Sequence, residues 1–180
     1  KNTMPLFKKA IYENSVYPTK ILPELKCPVI AFHSYKGGVG RTLSLIAFAR
    51  AWTNIQSDPQ HNKLLIIDSD LEAPGLTLIQ GQLNETSFSY LDLLTLIQDN
   101  NNIEDIVSTS AELMGTLTLP IETSQQRVDH FFLPTYRYEQ QLFDLYASPH
   151  TITTSRNKEY FLAEVLSQLA SHLGVSDVLV

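Results

Sequence analysis

Apolar residues along the chain fall into short unbroken runs that alternate with longer helical ones. Pro28, Val29, Ile30, Ala31 and Phe32 form one short run, and Lys63 to Ile67 contains another. An unbroken apolar strand is buried on both faces, as in a parallel sheet, so strands are expected at 28–34 and 63–67. Between them, 42–55 carries Leu43, Leu45, Ile46, Ala47, Phe48 and Trp52 with little polar surface, which predicts a largely buried helix; 54–62 reads as a loop. Strand, helix and parallel strand make a βαβ unit, whose strands both end at the carboxyl edge of the sheet.

Beyond Gly81 the pattern is weaker. Tyr90 to Ile97 fits a helix capped near Ser87 or Ser89, and Asn102 to Val107 a second, short one. Thr116 to Ile121 alternates and contains Pro120, which fits an edge strand or an extended segment. Val128 to Leu133 reads as a strand. Asn157 to His172 reads as an amphipathic helix with Phe161, Leu162, Val165, Leu166 and Leu169 on one face, followed by a strand at 178–180. Residues 1–27, broken by Pro18 and Pro23, read as a lead-in or linker to an α/β domain at 28–180.

The chemistry is concentrated where the first strand meets its helix. Three glycines, Gly37, Gly38 and Gly40, fall within four positions, followed by Arg41 and Thr42. Glycine lets successive backbone N–H groups converge on an anion, because no Cβ blocks the approach. The helix adds its unsatisfied N–H groups and the positive end of its dipole, so a di- or triphosphate is the natural guest. Thr42, in the first turn, is the hydroxyl expected to ligate Mg²⁺. Asp68-Ser69-Asp70 follows the second strand, which brings acid and phosphate loop to the same sheet edge.

Lys36-Gly37-Gly38-Val39-Gly40-Arg41-Thr42 resembles the deviant Walker A motif, K-G-G-x-G-K-[ST], of P-loop ATPases of the ParA and MinD type. Arg41 stands where the family's usual lysine stands, which makes the chain most similar to the subgroup carrying KGGVGR. Tyr35 stands in place of the first glycine of the general motif. The resemblance implies a P-loop NTPase fold, a mostly parallel sheet with helices on both faces. It implies that the chain stops after the helix preceding the Walker B strand, and Lys1 together with the unfinished strand at 177–180 reads as a fragment of something longer. It implies ATP bound by Lys36 to Thr42, Val39 included, with Lys36 reaching the partner's phosphates across a nucleotide-dependent homodimer. Asp70, in the family's I-D-x-D element, would orient the attacking water, and Asp68 would join Thr42 in the magnesium shell. Phe131-Phe132-Leu133-Pro134 resembles the family's L-L-P-A strand.

Composition narrows the alternatives. The 180 residues are 43% hydrophobic and 18% charged, an ordinary single globular domain with no apolar run long enough to span a membrane and no secretion signal, so a cytoplasmic location is expected. Cys27 stands alone, which excludes an internal disulfide. Residues 1–63 hold nine Lys and Arg against three acids, and 64–180 hold four against sixteen. That polarity suits nucleotide steering or assembly of a basic with an acidic face, while the acidic total argues against nucleic-acid binding by this segment. No two of the five histidines share a ligand spacing, so each reads as packed or solvated. The expected activity is a slow ATPase switch. The alternative is a regulatory or interaction module that binds nucleotide with little or no turnover; Lys36 speaks against a bacterial tyrosine kinase.

Overall fold

The computed structural model describes residues 24–34, 38–58, 60–81, 86–115, 117–138, 141 and 160–180. Most of the 1–27 lead-in, Lys36 and Gly37, His150 and the expected helix start at 157–159 lie outside the described residues. Among those described, the strands are β1 (Val29–Ile30), β2 (Leu64–Ile67), β3 (Thr118–Glu122), β4 (Arg127–Leu133) and β5 (Asp177–Leu179). The helices are α1 (Arg41–Ile55), α2 (Gly75–Gln80), α3 (Tyr90–Asp99), α4 (Ile103–Leu113) and α5 (Phe161–His172).

The strands form one sheet in the order β1-β5-β2-β4-β3. β5 pairs in parallel with β1 and β2, with Val178 opposite both Val29 and Leu65, and β2 pairs in parallel with β4. β3 runs antiparallel to β4 at the far edge, where Pro120, which lacks an N–H to donate, is tolerated. The α/β class and the mostly parallel sheet expected from the apolar runs are therefore present. Helices cover both faces. Leu45, Ala49 and Trp52 of α1 and Leu76 of α2 pack on Leu64, Ile66 and Phe132, whereas α3, α4 and α5 pack on Leu65, Ile67 and Val178 from the other side.

Element ends follow local chemistry. α3 starts at Ser89, whose Oγ accepts from Asp92 N–H while the Asp92 carboxylate accepts from Ser89 N–H, a reciprocal capping box. Asn102 caps α4 by accepting from Glu104 N–H, and that helix continues to Leu113, beyond the expected short segment.

Two burial expectations change. Among the described residues β1 has a paired neighbour on one side only, and Val29 and Ile30 are half-buried rather than sealed on both faces. Helix α1 buries one face and leaves Leu43 at 71% and Ile55 at 78% exposure, because among the described residues no element lies over its outer side. No helix of the described residues is long and apolar enough to cross a membrane.

Candidate functional site

Three neighbouring parallel strands, β1, β5 and β2, end side by side, and the backbone beyond them opens into a cleft of about 320 Å³. Phe32 and His33 line it after β1, Val180 after β5, and Asp68 to Glu72 after β2. Arg41 and Thr42, in the first turn of α1, form the remaining polar wall. A crevice at the carboxyl ends of parallel strands is where open α/β sheets bind ligands, since the loops there are free to diverge.

The described part of the glycine-rich loop has the backbone form used where amides converge on an anion. Gly38 and Gly40 have φ of +72° and +84°, the left-handed region that a side chain rarely adopts, and a Cβ at either position would meet open space. Gly40 is the N-cap of α1, no side chain caps the helix, and its first turn carries no acid. Ser44 N–H makes the first helical bond, to Gly40 O at 2.8 Å. The earlier amides have no acceptor within the helix, and donors so placed attract a phosphate.

Arg41 reaches across the cleft mouth. Its Nη2 donates to Asp70 Oδ2 at 2.6 Å, with both side chains roughly a third exposed. Asp70 Oδ1 accepts from Glu72 N–H at 3.2 Å and Ala73 N–H at 3.1 Å, so one carboxylate holds the loop after β2 in shape and ties it to the first residue of α1.

Asp68 is in a different setting, 6% exposed at the end of β2. Its Oδ2 accepts from both the N–H and the hydroxyl of Thr77, each at 2.8 Å, and Oδ1 accepts from Asp70 N–H at 3.4 Å. Burial pushes the carboxyl above the ordinary aspartate range, while the Thr77 donors oppose that shift by favouring the ionised form. Thr135 completes the network. Its N–H donates to Thr77 Oγ1 at 2.9 Å, and its hydroxyl donates to the Asp68 carbonyl at 2.8 Å.

Val39, Gly40, Arg41, Thr42, Asp68 and Asp70 are thus gathered at one sheet edge; Lys36 and Gly37 of the expected site lie outside the described residues. Sequence reading missed α2. Its first residue, Gly75, packs so closely on α1 that an added Cβ would stand 2.7 Å from Thr42 Oγ1. The A-P-G string before an apolar stretch was the available signal for a turn opening a helix. Thr77 and Thr135 gave none, because only tertiary structure brings them to Asp68.

Among the described residues no cluster of three or more His, Cys, Asp or Glu side chains is placed to hold a metal. The donor set still suits Mg²⁺ at a phosphate site, where one or two protein ligands, phosphate oxygens and water complete the shell. Thr42 and Asp68 are among the oxygen-bearing side chains that line the cleft. Compared with protein-family models, curated proteins and solved structures, the chain has no significant match.

Proposed function

We propose that the chain is the nucleotide-binding part of an ATP-dependent switch that binds Mg²⁺-ATP, closes as a homodimer and reopens on slow hydrolysis. The observation that carries this reading is the placement of Arg41. It stands at an uncapped helix N-terminus beside two left-handed glycines and is bonded to an acidic loop at the carboxyl edge of a parallel sheet.

Gly38, Gly40 and the first amides of α1 would receive the β- and γ-phosphates, and Lys36 would reach those of the partner. Arg41 has five N–H donors in a fixed fork, and the contact with Asp70 uses Nη2 alone. The remainder can neutralise phosphate charge while the same residue keeps hold of Asp70. Thr42 and Asp68 would hold Mg²⁺, which supplies charge neutralisation at the phosphate oxygens. Asp70 would then orient the attacking water, the chemistry being positioning and electrostatics rather than covalent catalysis.

The Arg41–Asp70 contact also favours the second reading, nucleotide binding with little turnover. A carboxylate held by a guanidinium is a weaker acceptor for water. Turnover separates the two. Asp70→Ala should retain ATP and lose most hydrolysis under the switch reading; a wild-type protein that binds ATP without measurable phosphate release supports the module instead. ATP-induced dimerisation, followed by sedimentation, should disappear in Lys36→Ala with monomer affinity retained.

A further inference from the structure

We infer that Thr77, on the short helix α2, is a positioning residue for magnesium at this site: it fixes Asp68 with one carboxylate oxygen committed to the protein and the other kept for the metal. The inference rests on the nucleotide reading above. It adds a residue that lies in neither the phosphate loop nor the acidic stretch after β2.

The two oxygens of Asp68 are used unequally. Oδ2 takes two short bonds from Thr77, which occupy both its lone-pair positions. Oδ1 takes only the long 3.4 Å bond from Asp70 N–H and retains acceptor capacity. The Thr77 hydroxyl has one proton and two acceptors in reach, Asp68 Oδ2 at 2.8 Å and Thr135 Oγ1 at 3.2 Å. The shorter bond to a charged acceptor wins. Thr135 reinforces that choice, because its N–H donates into Thr77 Oγ1 and leaves the hydroxyl proton directed at the carboxylate. Asp68, Thr77 and Thr135 come from three separate segments and all are buried, so the carboxylate is locked from outside its own loop.

A second contact points the same way. Helix α2 also opens with Gly75, packed against Thr42. One six-residue helix therefore lies close beside Thr42 at its first residue and holds the Asp68 carboxylate at its third. Mg²⁺ requires near-octahedral ligand placement and loses affinity when its ligands are free to rotate.

The test is ATP affinity measured as Mg²⁺ is varied, by calorimetry, on wild-type, Thr77→Val and Thr77→Ser proteins. Valine keeps the shape and backbone N–H but removes the hydroxyl, and serine restores it. Thr77→Val should need about tenfold more Mg²⁺ for half-maximal tightening of ATP, the lower end of what second-layer changes cost a metal site, with Mg²⁺-free affinity unchanged and Thr77→Ser close to wild type. Thr77→Ala, which removes the same hydroxyl while keeping the backbone N–H, should shift the Mg²⁺ requirement in the same direction and serves if Thr77→Val does not fold. Equal Mg²⁺ requirements for wild type and the foldable variant overturn the inference, as does an equal loss with and without Mg²⁺. ATP binding by the wild type that ignores Mg²⁺ overturns it while leaving the nucleotide reading standing. No ATP binding at all removes both.

Discussion

Single residues decide how this sheet edge behaves, and Gly75 is the clearest case. Its Cα sits where any side chain would run into Thr42, so Gly75→Ala must displace the Thr42 side chain or push α2 off α1. Overpacking of this kind costs about 1–3 kcal/mol, readable as a lower urea midpoint, and ATP affinity should fall with it. Unchanged stability and affinity would mean that α2 does not bear on Thr42. His130 is as tightly placed under α1, at the other end of β2. Thr53 Oγ1 donates to Ala49 O at 2.7 Å, so the 2.9 Å contact with His130 Nε2 requires the ring to donate there. Nδ1 accepts from Leu64 N–H at 3.2 Å, which leaves the imidazole neutral. Burial pushes its pKa down to about 4. In the unfolded chain the ring protonates as pH falls through its ordinary value near 6.5. The native ring resists protonation until about pH 4, so stability is complete above 6.5 and is lost progressively down to 4, by about 3 kcal/mol at most. His130→Gln should flatten that part of the stability profile, and equal slopes would contradict the burial of a neutral ring. Nothing in the sequence marked His130 beyond a packed histidine, since Thr53 and Leu64 are distant in the chain.

At the scale of elements, periodicity, capping chemistry and the edge strand containing Pro120 were legible, and the edge position of β1 was not. The unbroken run at 64–67 is a fully buried strand as its composition required, and Ser89 is one of the two caps that the onset of α3 allowed. The run before the glycine-rich loop is likewise apolar, yet β1 lies at the edge of the described sheet, a fact of strand order that no local pattern carries. Helix α3 is anchored by a further contact. Arg137 grips Asp92 with Nε on Oδ2 and Nη2 on Oδ1, both at 2.9 Å, and Gln141 donates to Asp92 Oδ1 at 2.8 Å. The Asp92 carboxylate thus closes the capping box and fastens the chain that leaves β4. Asp92→Ala should lower stability by roughly 1–3 kcal/mol, because partly buried donors lose their acceptor. Hydrogen exchange should accelerate first at Tyr90 to Leu93, and uniform acceleration throughout the fold would show that the clasp is not local.

For the whole molecule, strand order is what gives the site its parts. β5 lies between β1 and β2, so the residues that follow all three strands converge on one cleft, and the helix after β1 arrives with its positive end toward the acidic loop after β2. Glycine spacing and the Asp-x-Asp after an apolar run made Gly38, Gly40, Arg41, Thr42, Asp68 and Asp70 legible as one site. The ion pair between Arg41 and Asp70 was not, since sequence assigns the arginine to phosphate and the aspartate to water without placing them 2.6 Å apart. The most direct measurement is calorimetric titration of the protein with Mg²⁺-ATP, beside Gly40→Val and Arg41→Ala. Saturable binding by the wild type is the predicted result. Gly40→Val, forced to hold a branched residue at a φ of +84°, should lose it, and Arg41→Ala should be weakened at least about tenfold, the loss of one charge-assisted phosphate contact. A wild-type protein that binds no nucleotide, or variants that bind it as tightly as the wild type, would contradict the assignment of this cleft.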